Sequence, residues 1–121
     1  MKTPLNEYEV SVISHEVIDR LQHYFGYDLR DVILYGDYAE GNADGCSGLM
    51  YLCLVNYIGK YDTIILEYNL HSFEEDLSLK FNRNISILNL SDTYFKRHVE
   101  CNPFFASIAE KGQRLFPLVI E

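Results

Sequence analysis

Val32–Gly41 (VILYGDYAEG) and Ser47–Val55 (SGLMYLCLV) are the two stretches that decide the fold of this 121-residue chain. A short run of β-forming residues, Asp31–Tyr35, stops at Gly36. The segment that follows contains three glycines and few apolar residues, which indicates a loop or a short helical turn. From Leu49 onward the second stretch is continuously apolar, as expected of a strand covered on both faces. The pattern therefore predicts two strands joined by a glycine-rich turn.

Amphipathic and capping patterns place helices around these strands. An apolar stripe at three- and four-residue steps predicts a first helix that ends at Gly26. It begins either at Pro4 or after Asn6, which forms a capping-box pattern with Glu9. The expected later elements are a helix over 57–79, a strand over 84–90, a short helix capped by Ser91 or Asp92, a helix from Asn102-Pro103 to Gly112, and a strand over 115–120. Residues 1–121 thus form one α/β domain in which helices flank a small mixed sheet of about four strands.

Composition excludes several classes of protein. The 10 Lys and Arg residues stand against 18 Asp and Glu residues, so the formal net charge is −8. Binding through a nucleic-acid backbone needs clustered basic side chains, and we expect no nucleic-acid partner. No apolar run approaches the roughly 18 residues of a membrane span, so no membrane partner is expected either. Three cysteines without metal-ligand spacing argue against a disulfide framework or a zinc site, and a reducing cytoplasm fits best.

The glycine-punctuated segment carries a specific resemblance. Gly36, Ala39, Gly41 and Ser47 match, without a gap, the motif of the minimal nucleotidyltransferases of the DNA polymerase β-like superfamily. The stretch from 95 to 116, with its NPFF and EKG sequences, also resembles the end of the bacterial members. The likeness therefore covers nearly the whole chain and implies a nucleotidyltransferase-like fold.

The chemistry of that family depends on carboxylates. A Gly-Ser pair at a helix N-terminus offers backbone N–H groups to the phosphates of a nucleotide. Two aspartates at i and i+2 project from one face of the next strand, and a third lies on the neighbouring strand. Together they hold two Mg²⁺ ions, and the family transfers a nucleoside monophosphate from a nucleoside triphosphate.

This sequence departs from the family pattern at each of those positions. Gly48 and Met50 stand at the two aspartate positions, and Asn84 stands at the third. Glycine and methionine offer no hard oxygen to Mg²⁺, so we expect no catalytic residues, no metal ligands and no cofactor. Asp37 replaces the serine of the Gly-Ser pair and puts a negative charge where a phosphate would dock. Gly36, Asp37, Gly41 and Ser47 are then a vestigial nucleotide-binding motif.

The leading hypothesis is a catalytically degenerate, protein-binding domain. Minimal nucleotidyltransferases are commonly paired, as antitoxins, with small helical HEPN-type toxins, and the resemblance implies a similar partner here. An acidic surface would complement a basic partner. Self-association is an alternative that the sequence leaves open.

Two other functions are also open. The first is an active nucleotidyltransferase with an unorthodox site, which would need Mg²⁺. In that case Asp37, Glu40 and Asp44 could form a displaced metal site on the glycine-rich segment. The second is a sensor that binds a small ligand in the vestigial cleft beside Gly36, which Met50 makes apolar.

Overall fold

A four-stranded mixed sheet with helices on both faces forms the body of the molecule, which confirms the predicted fold class. The computed structural model describes residues 2–57 and 59–117. Within them, no helix is long and apolar enough to cross a membrane. The elements are α1 (Glu7–Phe25), a 3₁₀ turn (Gly26–Asp28), β1 (Leu29–Tyr35), α2 (Asp37–Glu40), β2 (Leu49–Val55), α3 (Thr63–Phe81), β3 (Ile85–Ser91), α4 (Asp92–His98), α5 (Pro103–Lys111) and β4 (Gln113–Phe116).

The sheet has the strand order β3-β2-β1-β4. β1 runs antiparallel to both β2 and β4, and β2 runs parallel to β3. β2 is therefore central, and six of its seven residues are buried, all except Met50. This agrees with the continuous apolar run, because a strand covered on both faces has no polar alternation. β3 and β4 form the two edges.

The two faces of the sheet carry two separate apolar layers. On one face α1 and α3 pack through fully buried side chains such as Val17, Leu21 and Leu77. On the other face α4 and α5 cover β2 through Phe95 and Phe105. Each apolar side chain buried in this way contributes about 1.5–3 kcal/mol. The sheet is thus held rigidly from both sides, which fixes the positions of its strand ends.

Side-chain caps set the ends of the helices. Asn6 accepts from the N–H of Glu9 at 2.8 Å, and the Glu9 carboxylate accepts from the N–H of Asn6 at 3.0 Å. This capping box decides between the two starts predicted for α1 and rules out Pro4. Ser91 caps α4, and Asn102 caps α5 ahead of its proline. The predicted capping residues of α1, α4 and α5 are therefore confirmed.

Several element boundaries differ from the prediction, including the start of β1 at Leu29 and the end of α3 at Phe81. α3 begins at Thr63, six residues after the expected start, because Asp62 caps it through the N–H groups of the next turn. Tyr57 and Tyr61 have helical spacing, yet both lie in the loop before α3. Their rings pack edge-to-face there, with centroids 6.0 Å apart. The last strand covers Gln113–Phe116 instead of beginning at residue 115. Residues 118–120 of the predicted strand lie outside the described part of the chain.

Candidate functional site

The connection from β1 to α2 approaches the start of β2 closely. Gly36 has φ +84°, a conformation that strains any residue with a Cβ atom. A Cβ placed there would lie 3.4 Å from Cγ of Met50, whose register partner on β1 is Tyr35. Gly41 ends α2 in the left-handed conformation, and its N–H donates to the carbonyl of Asp37. The two motif glycines thus shape a turn that closes on β2.

The other two degenerate motif positions also lie at this point. A Cβ on Gly48 would be 3.1 Å from the carbonyl oxygen of Asn84 and 3.3 Å from its side-chain Nδ2. The Asn84 carbonyl accepts from the N–H of Leu49 at 2.8 Å, which fixes it at the beginning of the β2–β3 ladder. The structure therefore brings Gly48, Met50 and Asn84 together beside the Gly36 turn.

Sequence reasoning missed one polar residue of this cluster. Ser86 is the register partner of Met50 on β3, whereas Asn84 comes just before the strand and lies beside Gly48. β2 and β3 lie far apart in the sequence, and their parallel pairing is a tertiary contact. The periodicity of the sequence therefore could not indicate that Ser86 lies beside Met50. Both residues are uncharged, and neither supplies the carboxylate that the family has on this strand.

Asp37 and Ser47, the two polar residues of the vestigial motif, contact each other. The Ser47 hydroxyl lies 3.1 Å from Oδ2 of Asp37 and 3.3 Å from Oδ1 of Asp44, and it accepts from the N–H of Asp44 at 2.9 Å. Asp37 is the first residue of α2, but no side chain caps that four-residue helix. Its carboxylate accepts from a serine hydroxyl across the loop and also lies in the first turn of α2.

A cleft of about 370 Å³ opens at this cluster, between the turn and α5. Gly36, Gly48 and Met50 form its floor, and Phe104 and Lys111 form part of its outer wall. The Phe104 ring meets the ring of Tyr35 edge-to-face at 5.7 Å, and burial raises the pKa of the Tyr35 hydroxyl. The contribution of α5 could not be predicted, because it depends on how that helix packs against β1.

The residues of the cleft do not fit the two Mg²⁺ ions of the family. At the three positions where that family holds its ions, the side chains of Gly48 and Met50 offer no oxygen ligand and Asn84 offers one neutral amide oxygen. The carboxylates that line the cleft, those of Asp37 and Glu40, lie on α2 instead. The displaced site considered for Asp37, Glu40 and Asp44 is wrong for the described part of the chain, where no three His, Cys, Asp or Glu side chains come together as a metal site would require. Glu40 instead faces the ammonium group of Lys111 at 3.9 Å.

A larger groove, of about 1060 Å³, lies on the other side of α2. It runs between α1, α2 and β4 and is lined by apolar residues such as Val10, Ile18 and Leu115. Among the vestigial motif residues only Gly41 lines this groove. The groove therefore gives no support to a binding function for the motif.

Comparisons with known proteins reveal a likeness at the level of the fold. No protein-family model matches the sequence, and no curated protein matches it either. Among solved structures, a chain of a toxin–antitoxin complex with AMP-PNP superposes with a TM-score of 0.55 at 13% identity, over 85% of this chain and 73% of that one. A chain from a mutant of the toxin–antitoxin MntA–HpeT, with two aspartates changed to glutamate, superposes with a TM-score of 0.52 at 12% identity, over 85% and 72%. At such identities the likeness establishes the fold alone.

Proposed function

We propose that this chain is a protein-binding, antitoxin-like domain with a nucleotidyltransferase fold whose catalytic site has been dismantled. The observation that carries the proposal is the convergence of Gly48, Met50 and Asn84 beside the Gly36 turn. These are the positions at which the family that the sequence resembles holds its metal ions, and here none of the three residues is a carboxylate. Gly48 and Met50 line the cleft, and Asn84 lies beside Gly48. A fold maintained without its catalytic groups is explained most simply by a surface that contacts another molecule.

The fold likeness and the charge both support a protein partner. Two of the structural neighbours come from toxin–antitoxin complexes, in which two different proteins assemble. The net charge of −8 favours a partner with a basic surface, because opposite potentials steer the two proteins together. We propose a small, basic helical protein of the HEPN type as the partner and the bacterial cytoplasm as the compartment.

Co-expression with the product of the neighbouring open reading frame tests this proposal. We expect the tagged chain to copurify with that product in a fixed ratio and to relieve any growth arrest the product causes alone. The intact mass of the recovered partner should be unchanged. A partner that gains the mass of a nucleoside monophosphate would establish the enzyme alternative. A chain recovered alone, with no relief of growth, would remove the proposal.

A second experiment tests the dismantled site directly. Calorimetry of the wild-type chain with Mg²⁺, Mn²⁺ and a nucleoside triphosphate should give no binding heat. The double substitution Gly48→Asp with Met50→Asp restores two oxygen ligands, and Gly48→Ala with Met50→Ala controls for the close contact at Asn84. We expect cation binding in the aspartate variant only. Tight binding of a nucleotide without metal to the wild type would favour the sensor alternative.

A further inference from the structure

The β3 edge of the sheet is covered by α3 along only part of its length. The N–H of Ile85 donates to Oγ of Ser78 at 3.0 Å, and the N–H of Ile87 donates to Oε2 of Glu74 at 2.7 Å. Both amide groups point away from β2, because alternate residues of an edge strand direct their N–H groups outward. α3 thus supplies hydrogen-bond acceptors where a fifth strand would otherwise pair.

The geometry of the two elements predicts where this cover ends. Four helical residues rise about 6.0 Å, and two strand residues rise about 6.6 Å, so successive turns of α3 follow successive outward positions of β3. The series that pairs Ser78 with Ile85 and Glu74 with Ile87 therefore continues to Leu70 opposite Asn89. Leucine has no acceptor, so from Asn89 onward α3 offers the outward N–H groups nothing to bind.

A groove of about 700 Å³ opens at this place. Its walls include Leu66 and Leu70 of α3 and Tyr94 of α4, with the Asn89–Ser91 backbone between them. Asn89, Leu90 and Ser91 are each partly exposed. Glu67 and Glu74 also line the groove, and within the described residues no lysine or arginine does. An uncovered edge flanked by apolar walls and carboxylates is suited to an extended chain with apolar and basic side chains.

We propose that an extended, basic segment of a protein partner binds in this groove as a fifth strand paired with the β3 edge at 88–91. The inference rests on the proposed protein-binding function and names the surface that performs it. Backbone hydrogen bonds would set the register, and alternate side chains would contact the leucine wall or the Glu67 carboxylate. A second copy of this chain is a poorer occupant, because each copy carries −8 and would bring its own carboxylates to the same edge.

The probe is a capped decapeptide of alternating valine and lysine, titrated into the ¹⁵N-labelled chain. We expect chemical-shift changes centred on Leu88–Ser91 and slower amide exchange at Asn89. Asn89→Pro removes the outward N–H while an edge strand tolerates the proline. Asn89→Thr is the matched control, since it also loses the side-chain bond to the Cys53 carbonyl but keeps the N–H. The proline variant should bind about fivefold more weakly than the threonine variant.

Substitutions on α3 test whether its carboxylates attract a basic peptide. Glu67→Gln should weaken binding of the valine–lysine peptide, whereas Glu75→Gln, outside the groove, should not. A valine–glutamate peptide should not bind. Equal affinities of the proline and threonine variants, or shifts elsewhere than 88–91, would overturn the proposal. If the proline variant does not fold, amide exchange at Asn89 in the wild type decides alone. Concentration-dependent dimerisation that protects this edge would replace the partner by a second copy.

Failure of this inference can be separated from failure of the proposed function. If Asn89→Pro still copurifies with the product of the neighbouring reading frame as well as Asn89→Thr does, the protein-binding function stands and the β3 edge is not its surface. If no partner is found but the peptide pairs with the edge, the antitoxin-like role fails while the peptide-binding groove stands.

Discussion

Removal of the Glu74 carboxylate should destabilise the fold by opening the edge of β3. Glu74 is one-quarter exposed and accepts from the N–H of Ile87, a residue that is 9% exposed. Glu74→Ala leaves that buried amide without its acceptor, which costs about 1–2 kcal/mol. Glu75→Ala is the matched control, because both glutamates lie near the His71 ring, at 3.5 and 3.0 Å, and only Glu74 reaches β3.

Urea denaturation measures the difference between these two variants. With an m value of about 1.5–2 kcal/mol/M, Glu74→Ala should lower the midpoint by about 0.5–1.3 M. Glu75→Ala should lower it by less than about 0.3 M, as is typical of an exposed side chain. Amide exchange at Ile87 should accelerate in Glu74→Ala and not in Glu75→Ala. Glu74→Gln keeps an acceptor, so its urea midpoint should lie between those of the two alanine variants. Equal midpoints for the two alanine variants would refute the account of the covered edge.

Three further outcomes are expected. Tyr51→Phe should cost about 1–2 kcal/mol, because it removes the buried 2.7 Å bond to Ser14, and a double-mutant cycle with Ser14→Ala in urea should be non-additive. Burial raises the pKa of Cys53 to about 12, so a thiol reagent at pH 8 should label the two exposed cysteines and leave Cys53 unmodified until the chain unfolds. The hydrogen bond from the Tyr61 hydroxyl lowers the pKa of Asp28 below its ordinary value. The associated stabilisation is complete above that value and is lost as pH falls through the folded pKa, and Tyr61→Phe should raise the pKa in an NMR titration.

Local signals predicted most of the fold. The capping box at Asn6 and the proline-led start of α5 gave correct helix starts, because each signal lies within one turn of the helix it begins. The start of α3 was predicted wrongly because the four-residue spacing of Tyr57 and Tyr61 is typical of a helix. In this chain that spacing has another cause. Tyr61 packs edge-to-face on Phe25 at 5.4 Å, so its position is set by α1. A helical period in a loop of this kind can be recognised only once its distant contacts are known.

The candidate site was predictable in part. The motif residues indicated the turn. The antiparallel pairing of β1 with β2 then brings Gly36 close to Met50, as is expected of two strands that follow each other along the chain. The bond between Asp37 and Ser47 and the wall contributed by Phe104 were not predictable. They depend on the path of the loop between α2 and β2 and on the packing of α5, neither of which leaves a periodic pattern in the sequence.

The acidic side chains of this chain make structural contacts at several places in the fold. Three clustered carboxylates repel one another and need a cation to hold them together. Among the described residues no such group of three lies at the start of β2, where Met50 packs against the Gly36 turn. The chain's acidic side chains make structural contacts elsewhere, as when Asp31 accepts from Arg114 at 2.7 Å and links β1 to β4. The proposed basic partner would meet these carboxylates as surface charge, because the described residues hold no cluster of three that a divalent cation would neutralise.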